Sequence, residues 1–99
     1  MHLIDNKKVK IVLNLPNYPQ SMRLIAELGL SKNDSYDYFE MLALISERGE
    51  RFIDEISVKG EKLSYDDFLS NPDFSKEINE IVTLISGRIE EFSTGKKKG

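Results

Sequence analysis

Groups able to move a proton near neutral pH or to hold a metal are few in this chain: one histidine, His2, no cysteine, and acids of which only three pairs stand adjacent in sequence. His2 follows Met1 directly, and no serine or carboxylate is spaced to be fixed against it, so a histidine-based acid–base or nucleophile pair lacks its second member. The acids Asp54-Glu55, Asp66-Asp67 and Glu90-Glu91 stand side by side. Adjacent side chains on a helix point in different directions, so these pairs do not converge on one substrate and read as caps and solvated faces. No D-x-D-x-D-G loop and no histidine pair is present to ligate a metal. The glycines at 29, 49, 60, 87, 95 and 99 are scattered and build no phosphate-binding loop. The expectation is a protein with no catalytic residue, no metal and no cofactor, and not an enzyme.

The other concentration of distinctive side chains is apolar. In LSYDDFLSNPDF, the residues Tyr65, Phe68, Leu69 and Phe74 crowd together among turn-formers. They either plug the core between the third and last helices or stay accessible and receive a partner helix or strand, since aromatic side chains are favoured anchors at interfaces. Their spacing leaves both open. These four residues are the candidate partner-binding set.

The body that must position them is one domain of 99 residues, with 39% hydrophobic and 31% charged content. Without cysteine, disulfides, thiol nucleophiles and thiolate metal sites are all excluded. No apolar run has the length of a membrane span, and MHLIDNKKVK lacks the apolar core of an export signal, so neither insertion nor export is expected. The formal net charge of −3 counts +3 from Lys96, Lys97 and Lys98, which leaves −6 on residues 1–95. An acidic body repels a phosphate backbone, and nucleic acid is not the expected partner. Residues 1–93 are read as the domain and residues 94–99 as a flexible polar tail.

Along the chain, KVKIVLNL alternates, with Val9, Ile11, Leu13 and Leu15 on one side, and predicts a strand. HLI before it, with Asp5 and Asn6 at the turn, predicts a short hairpin that must lean on helices to persist. PQSMRLIAELG predicts a helix with Met22, Ile25, Ala26 and Leu28 on one side, stopped by Gly29. Asp34 or Ser35 is expected to cap a second, central helix whose Phe39, Met41, Leu42, Leu44 and Ile45 form a wide apolar face. RFIDEISV fits both periods, and the stripe of Phe52, Ile53 and Ile56 favours helix. Gly60 marks a turn, Ser64 followed by Asp67 caps a short helix, and Asn71-Pro72 prepares the next. From about 73 to 92, Ile78, Ile81, Val82, Ile85, Ile89 and Phe92 recur at helical steps, with Gly87 as the weak point. The fold class expected is α+β, mainly α-helical: a short N-terminal β-hairpin packed against three to five helices.

KLSYDDFLSNPDF, followed by KEINEIVTLISGRIEEF and then GKKKG, resembles the tail assembly chaperones of long-tailed phages and prophages of Gram-positive bacteria, over roughly residues 8 to 99. In that family a short extended segment precedes helices, a serine- or threonine-led x-D-D-F turn follows a central helix, and a last amphipathic helix leads into a polar tail. The resemblance implies a non-enzymatic protein that binds the tape measure protein and helps bring tail tube subunits to it. It also implies a homo-oligomer in the host cytoplasm, absent from the finished virion, with neither nucleic acid nor membrane as partner. It implies further that Gly95 to Lys98 lie at a translational slip site, where some ribosomes shift frame and append a second domain. The residues themselves leave two other classes open: a small regulatory or antitoxin-like protein-binding module, which would need a localised basic face, and a small enzyme with an unrecognised carboxylate site.

Overall fold

Asn6 turns the chain for the first time. Its side-chain Oδ1 accepts from the backbone N–H groups of Lys8 and Val9 at 2.8 and 3.0 Å, and its own N–H donates to the Val9 carbonyl at 3.1 Å. This side-chain-closed turn joins β1 (His2–Asp5) to β2 (Lys10–Leu13) in antiparallel register, with His2 opposite Leu13 and Asp5 opposite Lys10. The computed structural model describes residues 1–28 and 38–93. After the hairpin come α1 (Tyr18–Leu28), α2 (Tyr38–Arg48), a 3-10 turn (Gly49–Phe52), β3 (Ile53–Val58) and β4 (Glu61–Lys62). Then follow α3 (Tyr65–Ser70), a second 3-10 turn (Pro72–Phe74) and α4 (Ser75–Ser93). The fold is α+β, as the residue pattern predicts, with a four-stranded sheet in the order β1-β2-β3-β4.

The second half of that sheet is a correction. RFIDEISV, read as helix, forms the end of a 3-10 turn and then β3, which pairs antiparallel with β2 through Lys10 opposite Ser57, Ile11 opposite Ile56 and Leu13 opposite Ile53. An irregularity between Val12 and Leu13 places both Ile53 and Ile56 opposite core-facing residues of β2. Two isoleucines three apart therefore share one face, a step that imitates a helix. What decides the outcome is the free edge of β2, whose backbone groups β3 satisfies, together with the fit of branched Ile53, Ile56 and Val58 to a pleated surface. Beyond β3, Lys59 and Gly60 both have positive φ, 52° and 84°, the geometry of a tight two-residue hairpin.

Helix α1 also differs in phase. Asn17 and Gln20 cap its start reciprocally: Gln20 N–H donates to Asn17 Oδ1 at 3.0 Å, and Asn17 N–H to Gln20 Oε1 at 2.9 Å. The inward face holds Ser21 and Leu24, with Ile25 packed against the core; of the expected set Met22 and Ile25 are both half-buried and Ala26 is exposed. The expected stop at Gly29 and the expected caps at Asp34 or Ser35 lie outside the described residues. On α2, Ile45 is buried, Leu42 and Leu44 are half-buried and Phe39 is exposed, so its apolar face is covered at one end rather than all round.

The central element is α4. It buries Ile81, Val82, Ile85 and Ile89 against Leu24 of α1, Ile45 of α2 and the inward row Ile4, Ile11 and Ile56 of the sheet, within one core cluster. Each such side chain contributes roughly 1.5–3 kcal/mol by leaving water. Among the described residues no helix is long and apolar enough to cross a membrane.

Gly87 lies on the exposed side of α4, and a Cβ there meets nothing within 4 Å. Gly87→Ala should therefore stabilise the fold by roughly 0.5–1 kcal/mol through reduced backbone freedom in the unfolded chain. Urea unfolding with an unchanged slope and a higher midpoint is the expected result.

Candidate functional site

The segment singled out by its aromatics is a corner between two capped turns. Ser64, with extended backbone (φ −74°, ψ 157°), accepts the Asp67 N–H on its side chain at 3.1 Å and starts α3, with Asp66 and Asp67 in the favourable first turn. Asn71 then caps the next turn, its Oδ1 accepting from Asp73 N–H at 3.0 Å, with Pro72 directly after it. The two caps turn the apolar side chains inward. Phe68 is 0% exposed, Phe74 6% and Tyr65 9%, while Leu69 is half-buried against the same cluster. Phe68 stacks on Phe74 at 5.3 Å between ring centroids and lies 6.3 Å from Tyr65. Of the four residues expected to bind a partner, Tyr65, Phe68 and Phe74 are core, although Phe74 also lines, with Lys62, Leu63 and Asn71, a depression of about 420 Å³. Leu69 keeps more of its surface in water than these three.

Tyr65 ties this corner to the end of α2. Its hydroxyl donates to the Ser46 carbonyl, and the backbone comes so close at Gly49 that a Cβ would lie 2.9 Å from the Tyr65 oxygen and 3.6 Å from Ile85 Cδ1. Burial, and then the negative charge of Glu50, push the phenol up from 10.0 to about 12. It stays a protonated donor at neutral pH.

A second buried polar group joins the opposite ends of the chain. Glu77, 1% exposed in the first turn of α4, accepts from Asn6 Nδ2 at 2.8 Å. Lys8 Nζ stands 3.3 Å from its other oxygen and donates to the Asp73 carbonyl at 2.8 Å. Desolvation pushes the carboxyl up, but hydrogen bonds from Asn6, from its own backbone N–H and from Lys8, with the Lys8 charge, outweigh it and hold Glu77 below its ordinary 4.5. Sequence spacing contains no signal for this contact, because its partners are 71 residues apart.

What remains open lies elsewhere. Where α4 ends, Met1, His2, Asn14, Leu15 and Arg88 line a depression of about 170 Å³. Arg88 sits 6.0 Å over the Phe92 ring, donates to the Pro16 carbonyl at 3.3 Å and pairs with Glu91 at 3.4 Å. Phe92 meets Tyr18 edge-on at 5.5 Å. Tyr18 is 55% exposed and Met1 93%, so apolar side chains stand open at this end beside the Arg88 guanidinium. The outer face of the sheet is the second open surface, where Leu3 is 52% exposed and stands in a row with half-buried Val12 and Glu55. Among the described residues no group of three or more His, Cys, Asp or Glu is placed to hold a metal ion.

Both buried polar contacts are testable. Glu77→Gln should cost about 1–3 kcal/mol at neutral pH. Because the folded carboxyl titrates below its unfolded value of 4.5, that difference is fully present above 4.5 and closes as pH falls through the folded value, which urea melts of both proteins across this range will read. Gly49→Ala should destabilise by roughly 1–3 kcal/mol by driving the Tyr65 hydroxyl off Ser46. Adding Tyr65→Phe, which removes the oxygen that the new methyl meets, should return part of the loss, so the two changes will be non-additive in thermal melts. No family model, no curated protein and no solved structure matches this chain.

Proposed function

We propose that this protein is a tail assembly chaperone of a long-tailed phage or prophage of a Gram-positive host. It binds the tape measure protein, helps recruit tail tube subunits, acts in the bacterial cytoplasm and does not remain in the finished virion. The observation that carries this reading is the segment from Lys62 to Phe92. It runs as a serine-capped Y-D-D-F turn, an Asn-Pro corner and an amphipathic helix α4, the order that the resemblance rests on.

The work proposed is hydrophobic holding rather than catalysis. With Tyr65, Phe68 and Phe74 in the core, the contact passes to side chains that stay open: Met1, Leu3 and Tyr18, with half-buried Phe92 beside them. Exposed apolar side chains rimmed by polar groups mark surfaces for protein partners. Each such contact is small, and a chaperone arrayed in many copies along a long helical partner gains through multivalency what one copy lacks.

Co-expression with the product of a long, helix-coding gene downstream should raise that product's soluble fraction several-fold. The Tyr18→Ser and Leu3→Ser variants should lower the gain without lowering their own melting temperatures. An unchanged soluble fraction with the wild-type chain would sink the proposal.

A further inference from the structure

The outer face of the sheet has a charge pattern of its own. The register places Lys10 and Lys62 on either side of Ser57, about 10 Å apart across two strand spacings. Lys7 extends from the β1–β2 turn and Lys59 from the β3–β4 turn, beside them. Together with Asp5, Glu55 and Ser57, three of these lysines (Lys7, Lys10 and Lys59) line a concavity of about 380 Å³. Neither Lys7, Lys10, Lys59 nor Lys62 forms an ion pair with any described carboxylate. The support beneath them is stiff: Asn6 closes the first turn on itself and is clipped to α4 by buried Glu77, and Lys59-Gly60 is a tight two-residue turn.

In a body that carries −6 over residues 1–95, this is a local reversal of sign. Two residues along the strands, about 7 Å away, the same face bears Leu3, 52% exposed, and half-buried Val12. An apolar pair, with Glu55 next in its row, thus lies parallel to a row of lysines in which Asp5 stands opposite Lys10. On an amphipathic α-helix an apolar stripe is flanked by a polar row, so a helix with leucines on one stripe and carboxylates beside it presents partners for both rows at once.

We infer that the outer face of the sheet is a docking surface for an acidic amphipathic helix of the partner protein, its apolar stripe on Leu3 and Val12 and its carboxylates on Lys7, Lys10, Lys59 and Lys62. Charge complementarity selects this occupant. A nucleic acid strand meets Asp5 and Glu55 inside the concavity and an acidic body around it, whereas a helix places its carboxylates only where the lysines are. The inference rests on the proposed function for the existence of a helical partner and adds the chemistry of the segment that is held.

The test is an NMR titration of the full chain with a synthetic amphipathic helix of about 18 residues, leucine on one stripe and glutamate on both flanks. Expected are shifts confined to Leu3–Val12 and Ser57–Lys62 and an affinity that falls steeply with salt. Binding should weaken by about tenfold in Lys7→Glu/Lys10→Glu/Lys62→Glu, whose three sites are exposed, so its melting curve serves as the folding control. The inference is overturned if the same peptide with lysine for glutamate binds as well, if a single-stranded DNA oligomer competes more strongly, if shifts fall on Tyr18 and Phe92 instead, or if the reversed triple variant binds undiminished. Sedimentation without peptide covers a second copy of the chain as occupant, and salt-sensitive self-association abolished by the triple variant would also overturn it. In the co-expression assay, a triple variant that still solubilises the partner removes this face and leaves the chaperone function standing. A wild-type chain that fails to solubilise removes the function, while the peptide titration still decides the face.

Discussion

A two-stranded hairpin does not hold its shape in water alone, and here the contact that anchors it is Asn6 and Lys8 against Glu77. One buried carboxylate receives the turn of the first hairpin and fixes it to the start of the last helix. The apolar faces of β2 and α4 then meet with no freedom to slide, and the inward isoleucines find their places in the shared core. An unpaired buried charge would be costly, and here Asn6 donates to one oxygen of Glu77 while the Lys8 ammonium, 3.3 Å away, offsets the charge on the other.

The same clip explains how a small acidic protein can present cations firmly. Lysines on a loose loop would lose conformational entropy on binding. On two short turns of a sheet, one locked by a side chain and one by two positive φ angles, much of the backbone contribution to that loss is already made. The apolar end near Tyr18 and Phe92 is built differently, by rings propped edge to face with Arg88 above one of them. The protein therefore has two open surfaces of distinct character, a charged sheet face and an aromatic end, while Tyr65, Phe68 and Phe74 of the α3 corner belong to the core.

Much of this was legible in the residues, for reasons that can be named. Alternation in β2, the apolar steps of α4 and the Ser64 cap are local patterns, and local patterns survive folding. β3 was misread because its irregular pairing brings Ile53 and Ile56 to one face at a helical step. On α1 the inward face includes Ser21 and Leu24 as well as Ile25, and small Ser21 carries no apolar signal in the sequence. The burial of Tyr65, Phe68 and Phe74 could not be decided by spacing, since the same aromatics suit a core or an interface. The Glu77 clip left no local trace whatever.

That clip also sets a timetable. The first hairpin is translated before its partners, for β3, which covers its inner edge, and Glu77, which secures its turn, follow later in the chain, the latter 71 residues after Asn6. At roughly 5–20 residues per second, the N-terminal strands wait several seconds for their partners. Consolidation consequently waits for α4, and a nascent chain stalled before that helix would expose an unprotected pair of strands to its neighbours.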